Sequence, residues 1–479
     1  MTAGPLLAYL PERSADISPA QVHLRRGRLR LPSYTRSLLL FQMFNGSNFT
    51  IALGAPMVLT ARFLGAGESA IGALIALTPF LATLQMFSTE LAERWGYRRL
   101  MVTCWTGRAF MLLLVVPLPL LMGRLSPALL VAALFIPLFA FNAIRGVAAC
   151  AWFPWIRELI PADRRGYFLG LEQRVVHASV LVTLLLSGWF LGTSPQGWRF
   201  STLFAAAWVA GLASALVLTR IPDRVPEASR QRPSRSVRAR LAAIREVWAH
   251  KPFRRVTRFG ALNTFAQAAI PGFLVLYLRD ELGWPERTIL LFAAGSTLGV
   301  LMIAVLWGRW SDRVGSRPLL RLVVAGQMVL LSGWALFATG VLRASPLTVG
   351  PIYVLTGVLF ASQAIALIRL FLFVCPENET TLGIMVYQVI ACFLGGCAPV
   401  LWGFALRGMR GWAGVQPGAT SLPFAVFFVV ALVLLGAAQL LLSRIPEPKA
   451  VPTRRLLVQL LWGWPLRMLL GATVQDPDR

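Results

Sequence analysis

Long apolar blocks alternate along the chain with short polar breaks. A helix needs about 20 apolar residues to cross the ~30 Å hydrocarbon core of a bilayer. Twelve blocks qualify: 38–60, 70–91, 100–122, 128–155, 167–191, 201–218, 259–278, 288–307, 319–342, 349–374, 382–406 and 422–442. Strand-like alternation is absent, and lipid leaves the helix as the open-ended way to satisfy a backbone. The pattern predicts an all-α membrane protein with twelve transmembrane helices.

The polar breaks predict orientation. Of the 46 Lys and Arg residues, 34 fall in the two tails and the even-to-odd connections, with Arg321 counted in the loop it borders; eight fall in the other connections. Basic loops stay inside, so both tails and the long middle connection are expected in the cytoplasm. The connection after span ten fits less well, since it offers Glu377 and Glu379 and no Arg. The first 35 residues are basic and polar, so no cleavable signal peptide is expected.

Composition narrows the class. The chain has 479 residues, 57% hydrophobic and 14% charged, where soluble chains carry about a quarter charged. That argues against a soluble enzyme, a disordered chain and a secreted disulfide scaffold. A net charge of +26 would suggest nucleic acid in a soluble protein. Here the charges punctuate apolar blocks, so the expected partner is the lipid bilayer and not nucleic acid. The five cysteines form no CxxC and read as small packing residues; neither a disulfide framework nor a metal site is expected.

The two halves repeat. Phe41-x-x-x-Asn45 opens span one and Phe259-x-x-x-Asn263 opens span seven. Arg62-Phe63-Leu64-Gly65 follows span one, and Arg279-Asp280-Glu281-Leu282-Gly283 follows span seven. Pro161 and Pro376 close spans four and ten; Arg220-Ile221-Pro222 and Arg444-Ile445-Pro446 end spans six and twelve. With the loop pair described next, five pairs keep the same order at offsets of 215 to 224. Two six-helix bundles are expected, at 38–220 and 259–443, with tails 1–37 and 444–479 and a linker 221–258. Residues 223–236 are rich in Pro, Ser and Arg; Val237, Leu241, Ile244 and Trp248 then repeat at helical spacing, which predicts an amphipathic helix along the membrane surface. Arg454-Arg455 and the Trp-containing run to 470 predict an interfacial helix and not a thirteenth span.

Gly308-Arg309-Trp310-Ser311-Asp312-Arg313-Val314-Gly315-Ser316-Arg317 lies between spans eight and nine. It resembles the signature loop of the major facilitator superfamily (MFS), Gly-x-x-x-Asp-Arg-x-Gly-x-Arg/Lys. The first-half copy, Glu93-Arg94-Trp95-Gly96-Tyr97-Arg98, is similar but degenerate, with Glu for Asp and Thr89 where the leading Gly would stand. Gly96 and Gly315 suit a left-handed or close-packed turn. The resemblance covers essentially the whole chain. It implies two pseudo-symmetric bundles and secondary transport by alternating access. It also implies that these loops latch the halves together, Asp312 toward the start of span five near Arg165 and Glu93 toward the start of span eleven near Thr380. Plain neutralisation of helix ends by these carboxylates remains the other reading.

Burying charge in lipid is costly, ~2.5–3.5 kcal/mol or more, so interior polar residues are informative. The resemblance implies that spans one, four, seven and ten line the cavity with parts of their neighbours, while three, six, nine and twelve are peripheral. Candidate cavity residues are Gln42, Asn45, Asn48, Asn142, Arg145, Asn263, Gln267, Gln363, Arg369 and Gln388. Arg108 in span three ranks below Arg145 and Arg369 on this reasoning. An Arg on the cavity face suits a carboxylate or phosphate through its planar fork, or else pairs with Glu172. Glu172 and His177 in span five are the candidates for proton coupling. Each amide could equally serve interhelical bonding.

No phosphate-binding loop, HExxH or nucleophile elbow appears. No enzyme activity, cofactor or ATP drive is expected; a proton or ion gradient as driving force and uncoupled uniport both stay open. Span five lacks the Gly- and Pro-rich motif of the family's drug antiporters. The expected substrate is a small polar organic solute, neutral or anionic, carried by a monomer in the plasma or inner membrane. Amphiphile or drug export, lipid flipping, and a non-transporting sensor or assembly factor remain the alternatives.

Overall fold

The computed structural model describes residues 32–223, 244–306, 316–375, 380–413 and 421–445. Eleven helices among these are long and apolar enough to cross a membrane by length and composition. Span one supplies the twelfth as two pieces, Thr35–Leu53 and Ala55–Phe63. Gly54 separates them in an extended conformation, followed by a proline at the start of the second piece. Pro56 lacks the N–H that would continue the ladder, and a Cβ on Gly54 would stand 2.5 Å from the Thr50 carbonyl oxygen, so the break is local chemistry. Span seven breaks at a comparable depth, between Lys251–Ala268 and Ile270–Leu276, and then unwinds into a π-helical turn, Tyr277–Glu281.

The other spans are Glu68–Ala82 with the 3-10 turn Thr83–Met86, Tyr97–Leu113, Pro127–Ala148 continued by Trp152–Leu159, Ala162–Leu191, Gly197–Leu218, Glu286–Leu306, Ser316–Ala338, Pro346–Val374, Thr380–Ala413 and Leu422–Ser443. Packing is repeated. Span one packs on six and five, three on six and four, and two on four; seven packs on twelve and eleven, nine on twelve and ten, and eight on ten. The halves meet along two seams, two against eleven and five against eight.

Glycines let the first seam close. A Cβ on Gly72 would stand 2.2 Å from the Pro399 carbonyl oxygen, and one on Gly403 would stand 2.7 Å from that of Glu68. The end of the bundles that carries Thr35, Leu218, Lys251 and Ser443 is called the tail side below, and the opposite end the far side.

Gly96 adopts φ +84, the left-handed turn the sequence predicted, between the short helix Thr89–Trp95 and span three. Arg98 donates to the carbonyl of Thr219, and Arg317 to that of Ser443. The last Arg of each loop copy thus ties the end of span six or twelve within its own half. Gly308, Asp312, Arg313 and Gly315 lie outside the described residues, as do 224–243 of the linker and the run 454–470. Residues 244–249 are helical, in line with the last part of the predicted amphipathic helix.

Candidate functional site

Spans one, three, four and five bring their polar residues together inside the first bundle. Arg108 is fully buried and donates through Nη2 to Oδ1 of Asn45 at 2.7 Å. Trp105 Nε1 donates to the same oxygen at 3.1 Å. Asn45 donates to Oε1 of Gln42 at 3.3 Å. Gln42 in turn donates to Oε1 of Glu172, which also accepts from Trp152 Nε1 at 3.1 Å. Glu172 is buried, and its Oε2 has no hydrogen-bond partner.

Arg145 stands nearby on span four. It is 9% exposed and donates through Nη2 to the Thr78 carbonyl at 2.9 Å, while its Nε is buried without a partner. It is within electrostatic reach of Arg108 and, across the seam, of Cys392 on span eleven. Gln388 donates to Cys392 at 3.3 Å, which places it on that opposite wall. Phe49 lies under both cations, 4.5 Å from Arg108 and 5.8 Å from Arg145. Arg108 also stacks on Trp105 and Phe141, with Nε and Nη1 unpartnered. Cation–π contact offsets part of the cost of burial. Among the described residues no carboxylate pairs with either guanidinium.

Three expectations change here. Arg145 does not form the ion pair with Glu172; neutral donors hold that carboxylate instead. Asn48 is not on the cavity wall, because it donates to the Ala207 carbonyl of span six at 2.7 Å and packs beside Gly211. Arg108 is not peripheral in effect: its long side chain reaches from span three to Asn45. Asn142 accepts from Thr78 at 3.1 Å and donates to Leu138, so it positions the backbone that holds Arg145. His177 is half-buried with an unpartnered Nδ1, and it lies outside the hydrogen-bonded chain.

The second bundle holds a neutral cluster. Gln267 Nε2 faces Asn263 Oδ1 at 2.9 Å and the Oε1 atoms of Gln327 and Gln363 at 3.2 Å each, while Gln327 also donates to Gln363. These amides bond to one another and to no described charge. Arg369, more than a turn beyond Gln363, is half-buried and makes no described bond to the cluster.

A second charged constellation closes the far side. Arg62 pairs with Asp280 at 3.0 Å across the halves. Arg410, 8% exposed, pairs with Glu68 of span two at 3.3 Å and with Glu281 of span seven. Arg279 pairs with Glu286 at 3.2 Å and reaches the Leu59 carbonyl. The π-helical turn presents Asp280 and Glu281 to different arginines. Among the described residues the five–eight seam is tied here by a backbone bond, Arg287 N–H to the Gly192 carbonyl at 3.1 Å. Sequence reasoning looked for gating only in the tail-side loops. The Arg and acid content of both far-side loops was the available signal.

Two six-helix bundles, repeated in order and meeting around a buried polar centre, define a class of helical membrane proteins. The chain belongs to the Major Facilitator Superfamily, whose sequence model matches residues 38–399. It is 25% identical over 280 residues to the ectoine/proline transporter ProP of Corynebacterium glutamicum, covering 53% of each chain. It is 25% identical over 166 residues to the cis,cis-muconate transport protein of Acinetobacter baylyi, covering 33% of this chain and 39% of that one. The matches thus span about half the length of the first relative and less of the second. A crystal structure of a D-xylose–proton symporter superposes with a TM-score of 0.63 at 14% identity, over 86% of this chain and 97% of that one. At that identity the likeness speaks for the fold alone.

Proposed function

We propose that the chain is a secondary carrier that moves a small carboxylate-bearing solute across the plasma or inner membrane by alternating access. Its tails face the cytoplasm, it works as a monomer, and a proton gradient drives it. The observation that carries this reading is the pair of buried guanidiniums, Arg108 and Arg145, which among the described residues make no ion pair with a carboxylate. An uncompensated buried charge is costly, and a bound anion offsets that cost. Arg145 touches the solute, because it is the less enclosed of the two and faces Cys392 and Gln388 across the seam. Arg108 lies behind it and adds charge. The names of the two relatives point the same way, since ectoine, proline and cis,cis-muconate all carry carboxylates.

The test uses purified protein in liposomes with labelled proline, ectoine and cis,cis-muconate, and xylose as a neutral control. Arg145→Ala is expected to lower affinity about ten- to hundred-fold, the worth of a charged hydrogen-bonded contact. Arg145→Lys should rescue poorly, because a point charge cannot reproduce a bidentate fork. Wild-type uptake by Arg145→Ala, or preference for xylose, would overturn the reading.

A further inference from the structure

Arg108, Asn45, Gln42 and Glu172 form one directed hydrogen-bond chain. Every donor points the same way: guanidinium to amide oxygen, amide N–H to the next amide oxygen, amide N–H to carboxylate. Amide dipoles aligned between a cation and an anion polarise one another. The charge at one end is therefore felt at the other, although no ion pair joins them.

We propose that this amide relay couples the protonation of Glu172 to carboxylate binding at Arg145 and Arg108, so that one proton and one carboxylate anion load together. The proposal rests on the carboxylate reading above. Glu172 Oε2, buried and unpartnered, is where the proton goes. The proton comes from solution and neutralises the carboxylate; no bond in the solute changes. With Glu172 neutral, the relay loses its anionic end and the field of the two guanidiniums stands uncompensated. Anion affinity then rises. By reciprocity, a bound anion raises proton affinity by the same factor.

Charge arithmetic disfavours a proton without solute. Empty, the centre holds Arg108, Arg145 and ionised Glu172, a net charge of +1. Loaded with a proton and a monocarboxylate, it is again +1. A proton alone leaves two buried guanidiniums and no anion, the costliest combination, so protons should not slip through without solute.

The surroundings contain little else that could answer for the titration. Span one presents Gln42 to Glu172, and span four presents Trp152 and, further off, Arg145 and Cys150. Span three presents Arg108 and Cys104. The described charged residues of spans six and eight lie at their ends: Arg199, Arg220, Glu286 and Arg287. On span five itself, Arg174 is exposed and His177 is half-buried outside the relay.

The experiment measures binding of benzoate, a monocarboxylate anion, and of the dianion cis,cis-muconate to the purified full-length protein between about pH 6 and 8, where both probes stay ionised. Wild type should bind more tightly as pH falls, by up to about ten-fold per unit for one linked proton. Glu172→Gln should bind tightly at every pH, with the slope gone. Gln42→Leu keeps both charged ends and cuts the relay, and it should flatten the slope while binding persists. A full slope in Glu172→Gln or in Gln42→Leu would overturn the coupling and leave the carboxylate reading standing. Failure of both probes to bind folded wild type at any pH would overturn the carboxylate reading and the coupling with it.

Discussion

The two bundles solve the same packing problem with different chemistry. Asn45, Arg108 and Arg145 in the first half stand at the positions of Asn263, Gln327 and Gln363 in the second, 218 or 219 residues on. Phe49 stands where Gln267 does. In the second half four amides close on themselves, with every described side-chain bond internal. In the first, two of the amide positions are arginines and the third partner is a ring, so the guanidiniums keep unpartnered N–H groups. The pattern repeats one layer along. Gln42 meets Glu172 in the first half, whereas the equivalent Gly260 leaves room for the Tyr387 ring, which packs on Phe371 with centroids 4.0 Å apart. Duplication supplied a scaffold with a polar centre in each half. Only one copy was left electrically open, and an open buried charge is what a ligand can close.

The largest effect should come from erasing that difference. Arg108→Gln gives the first half the second half's solution. Carboxylate binding should fall by about ten- to hundred-fold. Stability should move the other way, by about 1–4 kcal/mol, because replacing a buried uncompensated charge with a neutral group is commonly stabilising. Binding titrations and thermal melts of one preparation read both. Lower stability together with lost binding would make Arg108 a packing residue and remove the contrast between halves.

This contrast was only partly legible in the sequence. The fold was, because twelve apolar blocks and an internal repeat constrain topology strongly. Arg145, Gln42, Asn45 and Glu172 were also recognisable, as polar residues that lipid would otherwise exclude. The bond of Arg108 to Asn45 was not legible, because span membership does not fix where a long side chain reaches. Nor was the bond of Asn48 to the Ala207 carbonyl of span six, because a polar residue in a span does not say which neighbour it meets. The far-side ion pairs could not be assigned at all. Which acid meets Arg410 depends on how the halves dock, and nothing local to Glu68 or Glu281 encodes it.

The halves also differ in how their seams are tied. Span eleven reaches span two through Arg410 and Glu68 and through Arg407 and Ser69, while among the described residues span five meets span eight at the same end in a backbone bond. Arg410→Gln should therefore release the two–eleven seam and open the far side. A charged contact of this kind contributes about 1.5–3 kcal/mol, which is roughly ten- to hundred-fold in the balance of two states. Thiol labelling at Ser69→Cys, in a background without the five native cysteines, should speed up from the far side. Glu68→Gln should act in the same direction. Unchanged labelling in both, with the fold intact, would make the cluster a static staple.

The smallest effect should follow from disturbing the neutral copy. Gln363→Leu removes the shared acceptor of Gln267 and Gln327. The amides can turn toward one another and toward Asn263, so the loss is limited. Interhelical bonds of this kind average ~0.6 kcal/mol. Melting should fall slightly and carboxylate affinity should change by no more than about three-fold. The pH dependence of binding should not change at all, because no part of the relay to Glu172 crosses the seam. A loss as large as that of Arg145→Ala would mean that the amide cluster holds the solute as firmly as the guanidiniums do. The one-sided site would then give way to one built equally by both halves, and the difference between Arg145 and Gln363 would set which end of the solute each half takes.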